Sequence, residues 1–119
     1  MQNSKFLEWV LRVSVAGEFI GHGTLALQGK AQWVGWIQKF GVSDAGLALK
    51  LLMLIGAIDI ILAIIVLIRP IPFLLLWMAF WGFWTAILRP LVGESFWDFI
   101  ERFANWGAPL ALWLVIKNR

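Results

Sequence analysis

Cysteine is missing from this chain of 119 residues, which excludes disulfides, iron–sulfur ligation, thiolate metal sites and thiol nucleophiles together. Tyrosine is missing too, and the only histidine, His22, leaves no second ring for bis-histidine ligation. Charged residues make up 14% of the sequence, far below the roughly one quarter of a soluble domain. The net charge of +3 is scattered, with no basic run and no aromatic-interleaved patch, so nucleic acid is not an expected partner. Contact with anionic lipid at helix ends accounts for so small an excess.

What is present is apolar: 61% of the residues are hydrophobic, 9 are tryptophan, and the mean hydropathy is +0.83. A span needs about 20 mostly apolar residues, so four spans with short loops use nearly the whole chain and leave no room for a soluble catalytic domain. The single lysine ahead of the first apolar stretch looks like a signal peptide, yet Glu8, Arg12, Glu18 and His22 interrupt that stretch, which therefore reads as an uncleaved span.

The spans are expected at roughly 6–28, 45–68, 73–88 and 96–116. Between the first two, residues 30–41 are too short and too polar to cross, but Trp33, Trp36, Ile37 and Phe40 fall at i, i+3, i+4 and i+7. That spacing predicts an amphipathic helix on the membrane surface, with Lys30, Gln32, Gln38 and Lys39 toward water. Ser43 and Asp44 supply an N-cap for the second span, Arg69-Pro70-Ile71-Pro72 forces a tight reversal, and Ser95 to Asp98 reads as a capping box. The fold class is thus all-α: one transmembrane domain over residues 1–119, an antiparallel four-helix membrane bundle with a short amphipathic surface helix between its first and second spans. Lys5, Arg69, Lys117 and Arg119 on one side against Lys30, Lys39 and Arg89 on the other place both termini in the cytoplasm, in a bacterial inner membrane.

Ionisable groups inside the spans are costly and point to function. At about 1.5 Å per residue, His22 and Glu18 lie roughly 9 and 15 Å from the end of the first span. Entering from the same side, the fourth span reaches Glu101 and Arg102 at around 8–9 Å and Asn105 at around 14 Å. Glu18 and His22 share one helical stripe, and Asp98, Glu101, Arg102 and Asn105 share another. The third span ends on that side with Thr85 and Arg89, so polar groups from three spans are expected to converge in one half of the bilayer beneath the amphipathic helix. Asp59 sits deeper, in the second span, where pairing with Arg89 or Arg102 would lower its cost. A helix-gluing network explains the fourth-span stripe about as well as a ligand site does. Glu8 and Arg12 read as a structural pair, and the Trp77, Trp81 and Trp84 stripe as lipid-facing or packing surface.

Arg12, Gly21-His22-Gly23-Thr24-Leu25, Trp36-Ile37-Gln38-Lys39-Phe40-Gly41-Val42 and Leu54-Ile55-Gly56-Ala57-Ile58-Asp59 together resemble the DoxX-like family of small four-helix membrane proteins. Members carry an arginine early in the first span, a His-Gly late in it and an acid within the second. The likeness runs from Val10 to Arg69, about half of the chain. It departs where the family usually has glutamate in place of Asp59 and a lysine soon after the His-Gly, and the stripe from Asp98 to Asn105 has no counterpart. The resemblance implies association with membrane redox systems, including subunits of a thiosulfate:quinone oxidoreductase, and it marks Arg12, His22 and Asp59.

The expected function is that of an accessory subunit of a larger membrane electron-transfer complex. It would hold a quinone or lipid in a pocket of His22, Glu18, Glu101, Arg102, Asn105 and Trp36, with Asp59, Arg89 and Arg12 in buried ion pairs. The alternatives are a homo-oligomeric proton-coupled transporter relaying through Glu18, His22 and Asp59, and a scaffold subunit of a pigment or respiratory complex. Expected partners are the bilayer and other membrane subunits or further copies of the chain. No catalytic residue, metal site or covalent cofactor is expected, and haem or chlorin ligation by His22 is disfavoured.

Overall fold

The computed structural model describes residues 2–118 and is all-helical, with no strand among them. In chain order the helices are α1 (Gln2–Leu27), α2 (Ala31–Lys39), α3 (Ala45–Ile68), α4 (Pro72–Leu91), α5 (Phe96–Ile100) and α6 (Ala104–Lys117). Their ends follow local chemistry. The Asp44 carboxylate accepts from the Gly46 N–H at 3.1 Å to cap α3. Pro72 opens α4, where its missing donor costs nothing. The Ser95 hydroxyl accepts from the Trp97 N–H at 3.2 Å to cap α5. Gly29 at φ +72° and Gly41 at φ +115° flank α2 in the left-handed region that favours glycine.

α1 starts at Gln2, four residues ahead of the expected first span, and two later elements also differ from the sequence expectation. The third expected span runs on through Pro90 to Leu91, because a proline in the last turn removes only one helical bond. The fourth is not continuous over 96–116. It breaks at Glu101–Phe103 into α5 and α6, and the N–H groups of Arg102, Phe103 and Asn105 bond carbonyls only three residues back. Pro109 adds to the irregularity, since it lacks the N–H that would bond the Asn105 carbonyl and its ring crowds that carbonyl.

The packing is built from two helix pairs, α1 with α3 and α4 with α6, joined where α1 meets α6. Glycine sets both pairings. A Cβ on Gly23 would lie 2.8 Å from the Gly56 carbonyl oxygen, and one on Gly56 would lie 2.7 Å from that of Gly23, so α1 and α3 touch backbone to backbone. A Cβ on Gly82 would collide with the Asn105 carbonyl in the same way. The core of Val15, Phe19, Leu62, Val66, Leu75, Met78 and Leu112 fills the half of the molecule nearer the start of α1. Although only a short turn joins them, α3 and α4 have little direct contact, which leaves a gap between them in the other half.

Of the described helices, α3 and α4 are long and apolar enough to cross a membrane, with mean hydropathies of 3.1 and 1.4. In α1 the length is present but Lys5, Glu8, Arg12 and Glu18 dilute the apolar run, and α6 has only 14 residues.

Candidate functional site: a cavity between α3 and α4

The gap between α3 and α4 is a cavity of about 240 Å³ whose wall includes His22 and Ala26 of α1, Leu52, Ile55 and Asp59 of α3, and Trp81, Trp84, Thr85 and Arg89 of α4. The roof is α2. All four residues of its apolar stripe, Trp33, Trp36, Ile37 and Phe40, line the cavity, so the stripe faces inward across the gap. Polar contacts on the outer side tie the roof to the turn after α4: the Lys39 ammonium donates to the Val92 carbonyl at 3.1 Å, and the Gln32 amide donates to Glu94 at 3.4 Å.

Arg89 is the unusual member. It is 5% exposed, its guanidinium makes no ion pair or side-chain hydrogen bond among the described residues, and its Nε is buried without a partner. Its neighbours are aromatic faces, the Trp36 ring at 4.7 Å and the Trp33 ring at 5.9 Å. Each such face contributes about 0.5–2 kcal/mol, and the C-terminal dipole of α4 adds about 0.3–1 kcal/mol. Burying a charge costs several kcal/mol, so these contacts offset only part of it. Glu94, Asp98 and Glu101 lie within electrostatic range of Arg89 but beyond ion-pair distance. The indole Nε1 of Trp33 is a second buried donor on the cavity wall without an acceptor.

Asp59 is 4% exposed and faces the same cavity from the middle of α3, again without an ion pair. His22 packs edge-on against Trp33 at 6.0 Å, within electrostatic range of Arg89, Arg102 and Lys30. Although His22, Glu18 and Glu101 were expected in one pocket, His22 makes no hydrogen bond to either acid among the described residues. Gly23 of its glycine flanks serves the contact with α3, whereas Gly21 has nothing within 4 Å.

The structure therefore brings His22 and Trp36 of the expected pocket together and adds Asp59 and Arg89, which sequence reasoning assigned to ion pairs. Asp59 pairs with neither Arg89 nor Arg102. Glu101 and Arg102 instead pair with each other at 2.7 Å, at the break between α5 and α6, and Arg102 also donates to the Asp98 carbonyl at 3.0 Å. Asn105 packs through its backbone on Gly82. Glu18 is half-buried outside the cavity wall, in electrostatic range of Asp59. The fourth-span stripe leaves the site because the break ends the regular helical turn on which its alignment depended. Thr85 lines the cavity in the half where sequence reasoning put it, whereas Trp33, Trp81 and Trp84 are lining aromatics that it did not place there. For Trp33 the signal was available, since its spacing from Trp36 puts both on one face.

Arg12, at the other end of α1, does form the expected ion pair, with Glu8 at 3.3 Å. Its Nε donates to the Val66 carbonyl at 2.9 Å, a second nitrogen donates to the Leu67 carbonyl, and Trp9 covers the guanidinium at 3.8 Å. These bonds satisfy carbonyls that the end of α3 leaves free.

Among the described residues no group of three or more His, Asp or Glu side chains is placed to hold a metal ion. Compared with known proteins, the chain matches no family model, no curated protein and no solved structure.

Proposed function

We propose that this chain is a four-span membrane protein, a diverged relative of the DoxX-like proteins, that holds a quinone or lipid in the cavity between α3 and α4 as an accessory subunit of a larger membrane complex. The observation that carries the reading is the apolar cavity walled by three buried or half-buried ionisable groups, His22, Asp59 and Arg89, none of them ion-paired. Pockets that orient an amphiphile combine apolar lining with a few convergent polar groups in this way. Support for the four spans comes from the outer surface. The exposed side chains of α3 include Leu47, Met53, Leu54, Ile58, Ile61 and Ile64, and those of α1 include Val10, Val13 and Ile20. Soluble proteins rarely expose so much contiguous apolar area.

Gentle purification from native membranes, with analysis of both the co-purifying proteins and the extracted lipids, tests this reading. Stoichiometric larger subunits together with about one quinone or lipid per chain are expected; an isolated, ligand-free chain would count against it. Because the sequence has no cysteine, single cysteines can report topology. Gly41→Cys and Gly93→Cys are expected to label from one side of the membrane with an impermeant maleimide, and Arg69→Cys from the other. Labelling of all three from one side would end the four-span reading.

A second reading, a proton-coupled carrier, is favoured by one observation: Asp59 is buried without an ion pair and within electrostatic range of Glu18. Proton or substrate flux in liposomes that Asp59→Asn abolishes would move it to first place.

A further inference from the structure

We propose that the occupant of the cavity is an anionic phospholipid, with its phosphate on Arg89 and the Trp33 Nε1 donor and its acyl chains leaving through the gap between α3 and α4. This rests on the cavity being a binding site, and it names the ligand class. Arg89 is buried, lines the cavity, and has neither an ion pair nor a side-chain hydrogen bond. A neutral quinone carbonyl could accept from the unpartnered donors but would leave the guanidinium without a counter-charge. A phosphodiester supplies both, since its oxygens suit the forked donors of arginine.

The nearby acids do not fill that role. Glu94 accepts from Gln32, Glu101 is paired with Arg102, and neither they nor Asp98 come within ion-pair distance of Arg89. Lys30 and Arg102 add positive potential around His22 on the same wall. Arg89 lies in the last turn of α4, and that places the head group at this end of the cavity. Size agrees. At about 240 Å³ the cavity falls short of the roughly 300–1,000 Å³ typical of pockets that enclose a small ligand. It accommodates a head group and the start of the chains, and the rest must continue into the bilayer between α3 and α4, past Ile55 and Trp81.

Delipidated full-length protein in neutral detergent is titrated with dioleoylphosphatidylglycerol, dioleoylphosphatidylcholine and a short-tailed benzoquinone, and occupancy is read by native mass spectrometry. Phosphatidylglycerol is expected to bind about tenfold or more tighter than either comparator, a difference of about 1.4 kcal/mol. Arg89→Gln should bring it down to the phosphatidylcholine level, whereas Arg69→Gln, an exposed cation at the opposite end, should not. Arg89→Lys keeps the charge without the fork and should retain part of the preference, which covers the case in which Arg89→Gln fails to fold. Tighter binding of the quinone, or an unchanged preference in Arg89→Gln, would overturn the lipid assignment and leave the cavity a site. Displacement of phosphatidylglycerol by equimolar inorganic phosphate would also overturn it, in favour of a free anion. Failure of all three probes to bind would overturn this proposal and the binding site together.

Discussion

Arg12 and Arg89 are the same residue type, 7% and 5% exposed, at opposite ends of one helical bundle. Arg12 meets an acid, two backbone carbonyls and an indole face. Arg89 meets two indole faces and nothing that accepts a hydrogen bond. The packing around them differs in the same sense. Near Arg12 the helices close on a tight core of Val15, Phe19, Leu62, Met78 and Leu112; near Arg89 they part around a cavity. Burial of a charge is thus no functional signal by itself. What distinguishes a site from a structural clamp is whether the protein satisfies its own buried groups.

The largest effect that could break this contrast is expected at the satisfied end. Arg12→Met removes one partner of buried Glu8 and the donors to the Val66 and Leu67 carbonyls, and should cost about 3–5 kcal/mol, as breaking a buried pair does. Unfolding in detergent would measure it, and a loss below about 1 kcal/mol would reduce the Arg12 cluster to a surface-like pair.

Next comes the crossing of α4 and α6. Gly82→Val places side-chain carbon against the Asn105 carbonyl and should destabilise by about 1–3 kcal/mol through overpacking, whereas Gly107→Ala, with nothing within 4 Å, should stay within about 0.5 kcal/mol. Equal effects in the same unfolding assay would mean that the close approach does not set the pairing.

The smallest effect is expected at the roof. Lys39→Gln together with Gln32→Ala removes the exposed contacts to Val92 and Glu94 and should cost no more than about 1 kcal/mol of global stability. Amide exchange in α2 should rise while that in α3 stays unchanged. No change in α2 would show that its apolar stripe alone holds it down.

Much of the fold was legible in the sequence where chemistry is local. Asp44 and Ser95 mark helix starts and Arg69-Pro70-Ile71-Pro72 marks the reversal, because capping and proline geometry involve only neighbouring backbone. The spacing of Trp33, Trp36, Ile37 and Phe40 identified the one face of α2 that lines the cavity. His22, Trp36, Asp59 and Arg89 were all singled out as ionisable or aromatic groups in apolar surroundings, though half of them for ion pairing. The rest was illegible for a reason of range. Which helices pair is decided by Gly23 against Gly56 and by Gly82 against Asn105, contacts between distant positions that leave no periodic trace. The short turn between α3 and α4 implied neighbours in contact, yet the glycine crossings draw each toward another partner and open the gap. The stripe from Asp98 to Asn105 was projected on an unbroken helix, and the break at Glu101–Phe103 moved it elsewhere.

The contrast between the two arginines is tested most directly by comparing the unfolding of Arg12→Met and Arg89→Met in delipidated protein. Replacing an unpaired buried charge with an apolar side chain of similar length is neutral or stabilising. An unchanged or raised unfolding midpoint is therefore expected for Arg89→Met beside a large drop for Arg12→Met. A comparable drop in both would mean that the protein itself satisfies Arg89, and that the cavity end of the molecule is a second structural clamp.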